Sequence, residues 1–232
     1  MIISHRYKFI FIKTKKTAGT SLEVFLSQHC GDDDVFTPIF PPVDPHVARN
    51  YSGMWNPLPE IIQNRGREIR SSIRKVVHRK KFYNHMSAQD VQNRISQNTW
   101  KNYYKFSIER NPWEKVLSHY HMLNEREGNV LSLDEYLNRG SLNYCFNYPL
   151  YTNSKGDLLL EKIIRYESLN HDLGHVFQQL GIPFDGTLSV KAKSAHRKDR
   201  KPYQDVFTLQ QKELIDAVFA KEIEMHGYTY QG

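Results

Sequence analysis

Residues 8–23, KFIFIKTKKTAGTSLE, join an apolar run to a turn that is crowded with lysines and hydroxyls. The run is typical of a central parallel strand, and the segment after the turn has the pattern of a helix. A helix that begins directly after a strand presents unpaired N–H groups and partial positive charge, which favour an anion such as phosphate. The residues offering N–H groups or hydroxyls are Thr17, Ala18, Gly19, Thr20 and Ser21, and those offering charge are Lys13, Lys15 and Lys16. We therefore predict a phosphate-binding turn, in which Gly19 lets the backbone approach the ligand.

A simpler interpretation of this turn stays open. Thr20 or Ser21 would then only cap the helix, and the lysines around it would be solvated. The turn also differs from the Walker A loop of nucleotide kinases, in which a lysine follows the last glycine. Here Lys16 precedes Gly19 by three positions, so the sequence disfavours that loop type.

A second strand-to-helix junction lies in residues 106–120, FSIERNPWEKVLSHY. Arg110 follows the strand, and Ser118 lies eight residues later, about two helical turns along. A guanidinium fork suits a phosphate, and a serine hydroxyl can donate to the same group. The alternative is that Arg110 pairs with a nearby acid such as Glu114 and that Ser118 is an ordinary helix-surface residue.

Composition limits the class of protein. The chain has 232 residues, of which 39% are hydrophobic, and its net charge of +7 favours an anionic partner. Two cysteines, Cys30 and Cys145, cannot form a cysteine metal-binding pattern or a disulfide framework. We find no signal peptide and no run near the roughly 18 apolar residues of a membrane span. We therefore expect no membrane span and a cytoplasmic protein, whose oligomeric state the sequence does not indicate.

The order of elements predicts an α/β fold. Strand patterns at 8–12, 103–109 and 162–166 alternate with helical patterns, which favours a parallel sheet. We predict three layers, P-loop-like, with a central parallel sheet flanked by helices. Residues 1–232 form one predicted domain, with a loop-rich insertion at about 31–83 that holds most of the prolines.

The two junctions together resemble the nucleotide-binding segments of sulfotransferases that use 3'-phosphoadenosine-5'-phosphosulfate (PAPS). Residues 16–22, KTAGTSL, resemble the 5'-phosphosulfate loop, and residues 110–118, which begin RNP and end at a serine, resemble the 3'-phosphate segment. IIRYESL (163–169) and FAKEIEMHGYTY (219–230) are similar to later family segments. The resemblance runs over most of the chain and is closest to the branch with many bacterial and Golgi carbohydrate enzymes. Many members carry His where this chain has Lys13 and Pro where it has Lys15.

The resemblance implies transfer of a sulfuryl group from PAPS to a hydroxyl or amine of an acceptor, with the bisphosphate PAP as product. Lys16 matches the lysine that stabilises the leaving phosphate. An acceptor hydroxyl needs a general base, and His85 lies in a stretch that resembles the family's H-x-x-A segment. His46 is the second candidate. A carbohydrate acceptor, an acceptor-side position for the insertion at about 31–83, and no metal requirement are further expectations.

Two basic segments and two rival functions complete the sequence predictions. In the late loop 191–203, Arg197 and Lys198 are predicted to close over the 3'-phosphate, with a solvated loop as the alternative. The basic stretch 65–81 is interpreted either as binding an anionic glycan or as a solvated helix face.

A nucleotide kinase-like protein is disfavoured by the missing Walker A order. A nucleic-acid-binding protein is disfavoured because no such motif is visible, so no nucleic-acid partner is expected.

Overall fold

The computed structural model describes residues 1–63, 69–188 and 201–231. Within these ranges a five-stranded sheet has the order β3-β1-β2-β4-β5. The strands are β1 (Ile2–Ser4), β2 (Phe9–Ile12), β3 (Val35–Phe36), β4 (Tyr104–Glu109) and β5 (Lys162–Arg165). The helices are α1 (Gly19–Ser27), α2 (Leu58–Gln63), α3 (Ile69–Val77), α4 (Ala88–Arg94), α5 (Gln97–Asn102), α6 (Pro112–Arg126), α7 (Leu133–Asn138), α8 (Leu142–Cys145), α9 (Tyr148–Tyr151), α10 (Leu169–Leu180) and α11 (Leu209–His226).

The predicted α/β fold with a parallel central sheet is confirmed, with one addition. Strands β2, β4 and β5 are parallel, and their registers pair Phe11 with Phe106 and Ile108 with Ile164. Strand β1 pairs antiparallel with both β2 and β3, which makes the sheet mixed. The sequence analysis missed β1 and β3 because strands of three and two residues are too short to show a period.

Strand β2 is buried on both faces, as its continuous apolar run predicts. Phe9 and Phe11 pack in one core with residues of α1 and α10, whereas Ile10 and Ile12 pack in another with residues of α4. Alternate side chains of a strand point to opposite faces, so helices must cover both sides of the sheet. A third core joins α6, α7, α8 and α11. Among the described helices, none has the length and apolar character that a membrane crossing requires.

A buried ion pair fastens the loop-rich insertion to α4. Arg94 donates from Nε to Oε1 of Glu60 at 2.5 Å and from Nη2 to Oε2 at 2.9 Å. The guanidinium also donates to the Lys81 carbonyl at 2.6 Å and lies 4.0 Å from the ring centroid of Trp55. One side chain of α4 therefore fixes α2 and the segment that leads into His85.

Substituting Glu60 by alanine should destabilise the protein strongly, because it leaves the buried charge of Arg94 without its carboxylate. We expect Glu60→Ala to lower the free energy of unfolding by about 3–5 kcal/mol, measured by urea denaturation. The matched control is Glu127→Ala, which removes a carboxylate from the solvent-exposed pair with Arg139 and should leave the stability nearly unchanged. Equal losses for both variants would contradict the proposed fastening role of Arg94.

Candidate nucleotide-binding and active site

The first junction is a tight turn between β2 and α1. Lys16 and Ala18 both adopt left-handed backbone conformations with φ of 62°. Ala18 is the N-cap of α1, and its methyl side chain accepts no hydrogen bond from the N–H groups of the first turn. Capping by the side chain of Thr20 or Ser21 is therefore not what begins this helix. Thr17 is buried, and its hydroxyl lies 2.8 Å from that of Thr14, which also bonds to the Ile108 carbonyl of β4.

The three lysines of the turn lie in three different environments. Lys13 is buried and donates to Oε2 of Glu23 at 2.5 Å, so its ammonium is neutralised inside the fold. Lys15 is half-buried and places its Nζ 4.5 Å from the ring centroid of Tyr144. Lys16 is half-buried, with its Nζ 3.4 Å from the sulfur of Met122. Lys15 and Lys16 thus carry the positive charge on the outer side of the turn.

Lack of space explains why residue 19 is a glycine, and the sequence analysis did not identify this constraint. A Cβ built at this position would lie 2.8 Å from Cγ of Lys13, whose side chain passes beneath the start of α1. Lys13 cannot retreat easily, because its ammonium is held by Glu23. A glycine is therefore required here whether or not a ligand approaches the turn.

The second junction has a well-capped helix and an incompletely paired arginine. The side chain of Asn111 accepts hydrogen bonds from the backbone N–H groups of Trp113 and Glu114, at 3.1 and 3.2 Å, and Pro112 occupies the first turn. Arg110 donates to Oε2 of Glu114 at 3.1 Å, which is the pairing that the alternative interpretation expects. Its guanidinium lies 4.3 Å from the ring centroid of Tyr166. Nε of Arg110 is nevertheless buried, and no residue that the structure describes bonds to it.

Ser118 is half-buried on α6. It lies six residues beyond Pro112, the first residue of α6, which corresponds to about 9 Å along the helix axis. No direct contact joins it to Arg110 in the described structure.

Both junctions lie at the same edge of the sheet. Strands β2 and β4 are parallel neighbours, so the loops that follow them leave the sheet side by side. Ligands of open α/β sheets bind outside the carboxyl ends of the strands. The fold therefore brings the two predicted phosphate-binding segments together, although they are almost 100 residues apart in the sequence.

A buried polar network connects the two junctions. Lys115 donates to Oε1 of Glu109 at 2.7 Å and to Oε2 of Glu222 at 2.6 Å, and the side chains of all three are fully buried. Burial disfavours the ammonium, but the two carboxylates hold the pKa of Lys115 above its ordinary value. Oε1 of Glu109 also accepts the backbone N–H of Arg110 at 2.8 Å. Charge in the core thereby sets the position of the second junction.

Asn147 extends this network to the first junction. Its Oδ1 accepts the backbone N–H of Lys15 at 2.9 Å, and its Nδ2 donates to the Lys15 carbonyl at 3.1 Å. Nδ2 also lies 3.3 Å from Oε1 of Glu109. The sequence analysis missed Asn147, Lys115 and Glu222, because their contacts join segments that are far apart in the chain. Asn147, for example, is 132 positions from Lys15 and gives no local signal.

His85 has a geometry that suits a proton acceptor. Its backbone is left-handed, with φ of 56°, and its Nδ1 lies 3.1 Å from the carbonyl oxygen of Lys13. A carbonyl only accepts, so Nδ1 carries the proton and Nε2 carries the lone pair. Burial, reinforced by the positive charge of Lys13, lowers the pKa of His85 to about 3. The ring is therefore neutral near pH 7 and is fixed at one nitrogen.

His46 remains the alternative. It is buried, its pKa is lowered by burial, and no described residue bonds to its Nε2. His119 is packed inside the helical layer, with Nδ1 3.0 Å from the Tyr136 hydroxyl.

The remaining basic residues of the sequence predictions are described only in part. Arg197 and Lys198 lie outside the described residues, so their predicted role stays a prediction. Of the stretch 65–81, residues 65–68 are likewise not described. Arg70 and Arg74 are exposed on α3, beside the exposed side chain of Ile73. Among the described residues, no group of three metal-binding side chains is brought together.

The lowered pKa of His85 predicts a specific pH dependence of stability. Between about pH 3 and 6.5 the unfolded chain binds a proton at this position and the folded chain does not, so acidification should favour unfolding. Asparagine accepts a left-handed backbone and can donate the same hydrogen bond. His85→Asn should therefore reduce the slope of unfolding free energy against pH over this range, by at most about 1.4 kcal/mol per pH unit. Urea denaturation from pH 4 to 7 measures it, and unchanged slopes would contradict the burial of a neutral ring.

Comparisons with known proteins identify the family of the chain. The model of the Sulfotransferase family matches residues 1–152, which include both junctions and His85. An uncharacterized protein of Archaeoglobus fulgidus is 30% identical over 118 residues, covering 49% of this chain and 98% of that protein. The crystal structure of a sulfotransferase from Alicyclobacillus acidocaldarius aligns with 90% of this chain and 94% of that chain, at 18% identity and a TM-score of 0.42. The family match spans well over half of the sequence, and the chain belongs to the sulfotransferase family.

Proposed function

We propose that the protein transfers the sulfuryl group of PAPS to a hydroxyl or amine of an acceptor. The observation that carries the proposal is the side-by-side placement of two strand-to-helix junctions, both fixed by one buried network. PAPS has anionic groups at both ends of its ribose, a 5'-phosphosulfate and a 3'-phosphate. Two adjacent cationic junctions match that separation of charge in one ligand.

The first junction supplies the 5'-phosphosulfate site in this proposal. The uncapped N–H groups at the start of α1 and the lysines beside them favour an anion. Of the predicted set, we assign binding to residues 15–21 and give Lys13 a structural role, because Glu23 already neutralises it.

The second junction supplies the 3'-phosphate site. The buried Nε of Arg110, which has no partner in the described structure, needs an acceptor. A phosphate would provide one, with the hydroxyl of Ser118 as a further donor.

The chemistry follows from what these side chains can do. The acceptor oxygen forms a bond to sulfur as the bond between sulfur and the bridging oxygen breaks, and PAP leaves. Lys16 stabilises the negative charge that grows on the phosphate. The acceptor proton passes to Nε2 of His85, whose Nδ1 is held by the Lys13 carbonyl. An anion bound beside the turn would favour the protonated ring and raise the low pKa of His85 toward the range of a useful base.

We extend the proposal to a carbohydrate hydroxyl as acceptor and to a reaction without metal. The first part rests on the similarity of both motifs to the carbohydrate-modifying branch. The second rests on charge, because a sulfuryl group carries less negative charge than a phosphoryl group and needs less neutralisation. The described residues offer no observation that favours a kinase or a nucleic-acid-binding protein over this reading.

Removing the ammonium of Lys16 should slow transfer much more than it weakens binding. We expect Lys16→Met to lower kcat by about 100-fold or more, since groups that stabilise transition-state charge contribute on this scale. The assay follows radiolabelled sulfuryl from PAPS to a panel of oligosaccharides, together with the release of PAP. The control is Lys101→Met, which removes an exposed lysine of α5 and should retain full activity. Normal kcat in Lys16→Met would show that Lys16 lacks the assigned role.

A further inference from the structure

Lys15 is held by its backbone and by its side chain at the same time. Asn147 makes two hydrogen bonds to its peptide groups, one to the N–H at 2.9 Å and one to the carbonyl at 3.1 Å. Tyr144, three residues earlier, presents its ring to the Lys15 ammonium at 4.5 Å. Residues 144–147, at the end of α8, thus fix both the backbone of Lys15 and the position of its ammonium.

The ring of Tyr144 is itself fixed. His119 of α6 stacks on it, with ring centroids 4.5 Å apart and planes inclined by 15°. His119 is in turn held by Tyr136, whose hydroxyl lies 3.0 Å from its Nδ1. The aromatic face that Lys15 meets is therefore part of the packed helical layer, although the Tyr144 side chain is 43% exposed.

The backbone of Asn147 is equally constrained. Its N–H donates to Oε1 of Glu222, which also accepts the N–H of Tyr148 at 2.9 Å. Glu222 belongs to the buried network around Lys115. Lys15 consequently cannot move away from Asn147 without disturbing groups that are anchored in the core.

The Lys15 ammonium is also partly removed from water, and burial lowers its pKa below the ordinary value. A partly desolvated cation interacts more strongly with an aromatic face and with an anion than a solvated one does.

We propose that Tyr144 and Asn147 are positioning residues that direct Lys15 toward the phosphosulfate end of the nucleotide, where it acts as a second cation beside Lys16. This inference rests on the proposed function. Because many sulfotransferases carry proline at the position of Lys15, this cation and its two supports distinguish this chain from the shared motif. Asn147 sets the backbone of Lys15, and Tyr144 sets its ammonium.

A double-mutant cycle between Tyr144 and Lys15 tests the proposal. We expect Tyr144→Leu to raise the KM for PAPS and the Kd for PAP by about 5- to 10-fold, the size of a partly desolvated cation–π contact. Tyr144→Phe keeps the aromatic face and should restore wild-type values. In a Lys15→Met background, Tyr144→Leu should have no further effect, because the two side chains act as a unit. A full additional loss in that background, or no loss in the wild-type background, would overturn the proposal.

A second readout does not depend on activity. In protein labelled with ¹³C at lysine Cε, the Lys15 signal, assigned by its absence from Lys15→Met, should be displaced by the Tyr144 ring current. Tyr144→Leu should abolish that displacement, and a Lys15 signal at the solvated position in the wild type would overturn the proposal. If the wild type binds no PAP, the proposed function fails and this inference fails with it. If the wild type binds PAP and the Tyr144 variants do not differ, the inference alone fails.

Discussion

The buried ammonium of Lys115 holds together the edge of the sheet at which both junctions lie. Its ammonium is fully buried between the carboxylates of Glu109 and Glu222, on two elements that are distant in the sequence. Isolated charges in a protein interior are costly, and this one is tolerated because two carboxylates compensate it. One ammonium faces two carboxyl groups, and burial together with the charge of Glu109 raises the pKa of Glu222 to about 7. Removing Lys115 would leave both buried acids without their cation, so their burial depends on it.

The positions of both junctions follow from this set. Glu109 fixes the backbone of Arg110, and Glu222 fixes Asn147, which in turn fixes the backbone of Lys15. The hydrogen bonds run through side chains that are themselves buried, where the low dielectric strengthens each of them. The cationic side chains at the surface are thus supported by a rigid layer beneath them, which suits a site that must present charge in a fixed geometry.

A second support is the segment that leads from the loop-rich insertion into His85. Arg94 and Glu60 fasten it to the sheet layer, while His85 reaches the Lys13 carbonyl at the start of the first junction. The candidate base therefore lies against the backbone of the turn that is proposed to hold the sulfuryl donor. This contact joins the segment of His85 to the first junction.

The sequence allowed the fold class to be predicted because the strands β2, β4 and β5 and their following helices have strong local patterns. The same holds for the two junctions, whose residues are consecutive. Strands β1 and β3 were missed because they are short, and pairing with neighbours rather than pattern defines them.

The environment of the lysines was not predictable from the sequence. The segment KTKK, residues 13–16, has three lysines that look alike in the sequence. In the structure Lys13 is neutralised by Glu23, whereas Lys15 is held by Tyr144 and Asn147. These differences arise from contacts between segments that are far apart along the chain. For the same reason Arg110 pairs with Glu114, as the alternative interpretation expects, while its buried Nε has no partner among the described residues. Its binding of a phosphate stays a prediction.

The central claim is that two junctions read two phosphates of one nucleotide, and calorimetric titration tests it most directly. Wild-type protein and Arg110→Ala would each be titrated with PAP and with AMP, which lacks the 3'-phosphate. The account predicts that the wild type binds PAP about 10- to 100-fold more tightly than AMP, the contribution of a hydrogen bond to a charged group, and that Arg110→Ala removes this preference. Equal affinities of the wild type for PAP and AMP, or a preference that survives in Arg110→Ala, would contradict it.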